Sequence, residues 1–177
     1  MQTLSKSERL CNFRLKELLF NKGQGFFAYP FRVFYFTIGN VNLEPFFFKP
    51  DGIVFEGRPE GLPEARQMQN PSWPQRCLPE NAFFDFPAKM MVSVARKNFK
   101  RAVDRNKIKR LVKESYRKNK PSIYPFLQGK GLFCLIAFVY TAREIMTYAE
   151  VENKMVITLQ RITAAIESQG EKINLKS

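Results

Sequence analysis

Apolar residues recur along this chain with two periods, and each change of period marks a new element. In 7–21, SERLCNFRLKELLFN, residues Cys11, Leu15, Leu18 and Leu19 fall on one side of a helix, with Ser7 as a candidate N-cap. Phe13 and Phe20, seven apart, share a neighbouring face, and Lys22-Gly23 ends the helix at a glycine of the C-cap kind. Over 30–39, PFRVFYFTIG, the period becomes two. Phe31, Val33, Tyr35 and Thr37 alternate with Arg32, Phe34, Phe36 and Ile38. Both sets are largely apolar, so the strand is expected to be covered on both faces. Further strands are predicted over 88–95, AKMMVSVA, and 131–139, GLFCLIAFV, the latter an unbroken apolar run suited to the centre of a sheet. Between them the helical period returns over 102–118, where Ile108, Leu111, Val112, Ser115 and Tyr116 form one stripe and Pro121 and Pro125 stop the helix. A last helix over 147–168 carries Val151, Met155, Leu159, Ile162 and Ile166, and the tail EKINLKS is expected to fray.

Residues 40–87 break both periods. Eight of the eleven prolines lie there, in turn-like runs such as KPDG and NPSWPQ, yet so do seven Phe and the single Trp. That composition predicts an insertion that packs locally, with one short strand over 52–56, rather than a disordered linker. The order α, β, insertion, β, α, β, α over residues 1–177 predicts one α+β domain, a two-layer sandwich of a small sheet and helices.

Charge adds a second distinction. Between Arg96 and Lys120 stand twelve Lys or Arg and two acids, so ten of the chain's thirteen net positive charges sit in about a seventh of its length. The apolar stripe of 102–118 marks a folded helix, and Asn106, Arg110, Lys113 and Arg117 lie on its other side. A basic face of this density points to phosphate, with nucleic acid ahead of anionic membrane. The helix position of Asn106 fits a cap, an orienting group for its basic neighbours or a reader of RNA. Asp104 fits a helix-terminus or intramolecular partner, since it would repel phosphate. Core packing is the default for each of the many Phe.

Some chemistry is excluded. The chain has no His, which removes His-based triads, His general bases and His-ligated zinc. Cys11, Cys77 and Cys134 match no metal spacing and are odd in number, which argues against a disulfide framework. MQTLSKSERL has no apolar signal core, and no run approaches a membrane span. A reducing, cytoplasmic compartment without a membrane partner is the expectation.

The run VSVARKNFKRAVDRNKIKRLVKESYR resembles the signature of the bacterial ribonuclease P protein subunit. In that family a strand ending in a basic pair leads through a loop to an Arg-Asn-Arg-type helix. Here the pair is Arg96-Lys97 and the helix motif is Arg105-Asn106-Lys107, continuing through Ile108-Lys109-Arg110. Lys107 replaces the usual Arg, keeping the charge and losing the planar donor fork. LSKSERL, LLFNKG and YPFRVFYF extend the resemblance over the chain except 40–87 and the tail. It implies a fold like the second domain of a ribosomal small-subunit protein, with a left-handed βαβ crossover, against the usual hand.

The resemblance also implies a division of labour. The catalyst is a partner RNA whose magnesium-dependent active site cuts the 5′ leader from precursor tRNA. Mg2+ is therefore the holoenzyme's cofactor, and no catalytic residue or metal ligand falls on this chain. The RNA-facing group is Arg96, Lys97, Lys100, Arg101, Arg105, Asn106, Lys107, Lys109, Arg110 and Lys113. The leader is expected in a cleft between the first helix and the sheet, on Phe20 and Tyr35. Lys16 stands where the family has a further aromatic, and Phe13 is the candidate substitute. The alternative is a non-catalytic, ribosome-associated RNA-binding module of the same fold. A protein nuclease in its own right finds no carboxylate cluster in the sequence.

Overall fold

In a computed structural model of the chain, which describes residues 3–39 and 86–174, the apolar run near 131–139 forms the strand against which the others are placed. The elements are α1 (Phe13–Lys22), β1 (Gln24–Ala28), β2 (Phe31–Gly39), β3 (Ala88–Val94), α2 (Ala102–Asn119), α3 (Tyr124–Gly129), β4 (Leu132–Tyr140) and α4 (Tyr148–Asn174). The sheet order is β1-β2-β4-β3. β4 pairs antiparallel with β2 from Phe31↔Tyr140 to Gly39↔Leu132, and parallel with β3 from Ala88↔Cys134 to Val94↔Tyr140. Flanked on both edges and covered on both faces, Cys134 to Phe138 have no exposed surface, as the unbroken apolar run requires.

The two faces carry separate cores. On one, Phe31, Val33, Tyr35, Met90, Ile136 and Phe138 pack against Ile108, Val112 and Tyr116 of α2 and the α4 stripe. On the other, Leu15 and Leu19 of α1 pack with Leu10 on Ile38, Leu135 and Ala137. The mixed α+β architecture is the one expected, and the α2–α4 layer gives the sandwich. α1 adds a partial layer on the opposite face. Every residue of the α4 stripe is buried: Val151, Met155, Leu159, Ile162 and Ile166. The start of α4 is fixed by a capping box, in which the Thr147 N–H donates to Glu150 Oε2 (2.8 Å) and the Glu150 N–H to Thr147 Oγ1 (3.4 Å).

Three expectations need correction. α1 begins at Phe13 rather than at Ser7, and the residue reaching into its first turn is Asn12, whose Oδ1 accepts from the Leu15 N–H (3.4 Å). Residues 8–10 instead run beside β3, where the Leu10 N–H donates to the Met90 carbonyl and the Met90 N–H to the Glu8 carbonyl, both at 2.8 Å. They cover an edge that would otherwise be open. QGFFA forms an additional strand, β1, antiparallel to β2. Pro125 does not stop a helix but sits in the first turn of α3, where its missing N–H costs nothing. α3 then hands over to β4 through Gly131, whose φ of 60° suits glycine. The strand expected over 52–56 and most of the insertion lie outside the described residues.

Candidate RNA interface

The basic unit begins where β3 ends. Phe99 is buried against the ring of Tyr140, with centroids 6.0 Å apart, and anchors the loop between β3 and α2. The loop turns on two bonds to the Ala95 carbonyl, from the N–H groups of Asn98 and Phe99 (both 3.2 Å), and Asn98 Nδ2 donates to the Thr141 carbonyl (3.4 Å). With its apolar residue inward, the loop presents Arg96, Lys97, Lys100 and Arg101 to solvent.

Arg105 stands apart from that group. Its Nη1 donates to the carbonyls of Phe99 (2.8 Å) and Lys100 (2.7 Å), so the guanidinium ties the loop to the first turns of α2. Asn106 lies past the first turn of α2, which removes the capping reading. It is exposed in a shallow groove with Val103, Lys107, Arg110, Leu111, Glu114 and Tyr148. Asp104 lies in the first turn of α2, where a carboxylate suits the helix dipole. Lys109 and Lys113 are half-buried.

A second groove flanks Arg110 on the side of the N-terminal segment, lined by Thr3, Leu4, Arg9, Lys113, Glu114 and Arg117. Arg9 joins the basic face only because residues 8–10 run along β3, and nothing local in the sequence signals it. Arg117 is held by Glu114 through two bonds, Nε to Oε2 at 2.8 Å and Nη2 to Oε1 at 2.5 Å. That hydrogen-bonded pairing holds the Glu114 carboxyl below the usual carboxylate range and commits the Arg117 fork to an internal partner.

The aromatic cleft is built differently from the sequence expectation. Alternation along β2 sends Tyr35 to the α2–α4 face, where it is 4% exposed and its hydroxyl donates to Gln24 Oε1 (2.8 Å). Tyr35 and Phe20 are therefore on opposite sides of the sheet. The ring that meets Phe20 is Phe34, edge-on at 5.3 Å between centroids. Phe20 is 45% exposed, and Phe13 at 75% is the most exposed large apolar residue among those described. Arg32, exposed, places its guanidinium 5.2 Å from the centre of the Phe34 ring. Phe36 and Phe133, half-buried, close the floor toward Leu15 and Leu19.

Among the described residues, no three His, Cys, Asp or Glu side chains gather as a metal site, and no helix is long and apolar enough to cross a membrane. Cys134 is buried, and burial pushes its thiol up to about 12, far from thiolate reactivity; Cys11 is exposed.

The profile of the family described as Ribonuclease P matches residues 66–163, more than half of the chain, including β3, the basic loop and α2. A protein of Porphyromonas gingivalis named ribonuclease P protein component is 30% identical over 169 residues, 96% of this chain and 93% of its own length. The chain belongs to the ribonuclease P protein family. A protein of the same name from another strain of that organism is 42% identical over 83 residues, 47% of this chain and 61% of its own. Among solved structures, the RNase P protein of Staphylococcus aureus is 17% identical with a TM-score of 0.49, covering 89% of this chain and 95% of that one. The RNase P protein of Thermotoga maritima is 21% identical with a TM-score of 0.47, covering 87% and 96%. The family profile begins inside the insertion and leaves out α1, β1 and β2, so Phe20, Arg32 and Phe34 of the aromatic cleft lie outside its span.

Proposed function

We propose that the chain is the protein subunit of a ribonuclease P and acts in tRNA 5′ maturation. In this reading it binds a catalytic RNA through the loop and outer face of α2, and the single-stranded leader of precursor tRNA through the cleft between α1 and the sheet. The observation that carries the reading is the unit from Arg96 to Lys113. Three of its apolar residues, Phe99, Ile108 and Val112, are buried in one core, which fixes the positions of the exposed cations around them. Fixed cations bind a folded RNA with less loss of side-chain and loop freedom than a flexible basic tail.

Roughly 6–10 phosphate contacts would make binding fall steeply with salt. Arg105 keeps the loop in shape. Arg96, Lys97, Lys100, Arg101, Lys107, Lys109, Arg110 and Lys113 supply the charge, joined by Arg9. Phe20 and Phe34 offer π-faces to the leader, and stacking of that kind tolerates any base, as a protein meeting many leaders needs. In this reading, as the family resemblance implies, the magnesium ions of the reaction are held by the RNA.

The test mixes the full chain with its cognate ribonuclease P RNA and a precursor tRNA at low magnesium and measures 5′ cleavage. Stimulation over RNA alone is expected. Unchanged cleavage would reject the reading and leave a non-catalytic RNA-binding module. Cleavage by the protein without RNA would reject both.

A further inference from the structure

The aromatic cleft has an extension that Phe20 and Phe34 do not exhaust. In the β1–β2 pairing, Phe27 stands opposite Arg32 and Gly25 opposite Phe34. Phe27 thus shares the α1 side of the sheet with Arg32 and Phe34, and it is 60% exposed. Contacts run in a line: Phe20 touches Phe34 at 5.3 Å, and Arg32 lies 5.2 Å from the Phe34 ring. Phe27, directly across from Arg32, comes next. Ring, ring, guanidinium and ring follow one another across an exposed surface.

Two features hold this surface in place. The backbone of β1 is tied to α4, where Arg161 Nη1 donates to the Phe27 carbonyl (3.3 Å) and the guanidinium stacks 4.9 Å from the Phe26 ring on the opposite face. β1 is anchored from behind while the Phe27 ring stays open in front. Gly25 leaves space for Phe34, since a Cβ there would stand 3.0 Å from Phe34 Cδ1. A larger residue would displace the ring that joins the two halves.

We propose that the track for single-stranded RNA continues from Phe20 and Phe34 across Arg32 to Phe27, and that it holds at least one more leader nucleotide there. Its base stacks on Phe27 and its phosphate lies beside Arg32. The occupant is single-stranded RNA because the surface alternates stacking rings with a cation, and a duplex would bury its π-faces internally. Along β2, Arg32 and Phe34 are two residues apart, about 7 Å, a span that one unstacked nucleotide step bridges. This inference rests on reading the cleft as the leader site.

The experiment uses holoenzyme reconstituted from the full chain and its cognate RNA, and precursor tRNAs whose leaders grow one nucleotide at a time. Dissociation constants are measured for each. Phe27→Ala should weaken binding about 10-fold once the leader reaches the outer position, in line with stacking on one ring, and leave shorter leaders unaffected. Phe27→Trp should restore the affinity and Phe27→Leu should not, which separates stacking from packing. Phe34→Ala should weaken binding from a shorter leader onward. Phe27→Ala without effect, or with an equal effect at every length, beside a length-dependent Phe34→Ala, would overturn the extension alone and give this face to a protein partner. Both variants without effect would overturn the leader-site reading as well.

Discussion

Glu8 and Lys120 are both withdrawn from water, with Lys120 Nζ 2.5 Å from Glu8 Oε1. Tyr124 donates its hydroxyl to the same oxygen, the Ser5 N–H donates to Oε2 (2.6 Å), and Lys120 also donates to the Thr3 carbonyl (2.6 Å). Burial pushes the Glu8 carboxyl up, but the hydrogen bonds from Lys120, Tyr124 and Ser5 outweigh it and hold the carboxyl below its usual value. Each partner depends on the other, because an unpaired buried charge costs more than the pair gains. Lys120→Met should destabilise the fold by about 3 kcal/mol, read as a lower midpoint in urea. Because the folded value of Glu8 is depressed, its stabilisation is complete above the unfolded value and is lost as pH falls through the folded one. The midpoints of wild type and Glu8→Gln should therefore differ at neutral pH and converge in acid; a constant difference would show that the charge contributes nothing. The sequence could not reveal this pair, whose members stand 112 residues apart. The same limit explains Tyr35. Its alternation with Phe34 was legible, but with two apolar sets nothing local says which one faces α1.

At the scale of elements, periodicity located α2 and β4 to within one residue at each end and the start of α4 likewise, while α4 runs on to Asn174, into the tail expected to fray. It failed where tertiary partners decide. Residues 8–10 form no part of α1 because Met90 competes for their backbone groups, and β1 forms because β2 offers a free edge to five residues of weak pattern. The basic residues were legible as a group but not as individuals, and Arg105 shows why. Its two bonds to the loop carbonyls make it a tie between loop and helix. Arg105→Ala should lower thermal stability and weaken RNA binding while the dependence on salt stays near that of wild type. Arg110→Ala should leave stability unchanged and flatten the salt slope by about 1. Anisotropy titrations at several potassium chloride concentrations decide it, and equal slope changes in the two variants would show that Arg105 also neutralises phosphate.

Across the whole molecule, the sheet separates two chemically different surfaces, one basic and one aromatic. α2 packs on one face, and Phe20, Phe34, Arg32 and Phe27 occupy the other. On the proposed reading, contacts on the α2 side would be ionic and release counterions, whereas those on the α1 side would be mainly stacking, so salt should act on them unequally. Effects at sites without shared partners add within about 0.5 kcal/mol. Combining Arg110→Ala with Phe34→Ala should give the sum of the two losses in free energy of precursor binding to the holoenzyme. Raising salt should weaken assembly with the RNA far more than it weakens the gain conferred by the leader. A double variant no worse than the poorer single one would mean that the leader binds only after α2 has docked its RNA, with the two faces acting in sequence instead of in parallel. The sheet itself supplies the reason to expect independence: Leu135 and Ala137 belong to one core and Ile136 and Phe138 to the other, so a side chain lost on either surface leaves the opposite packing intact.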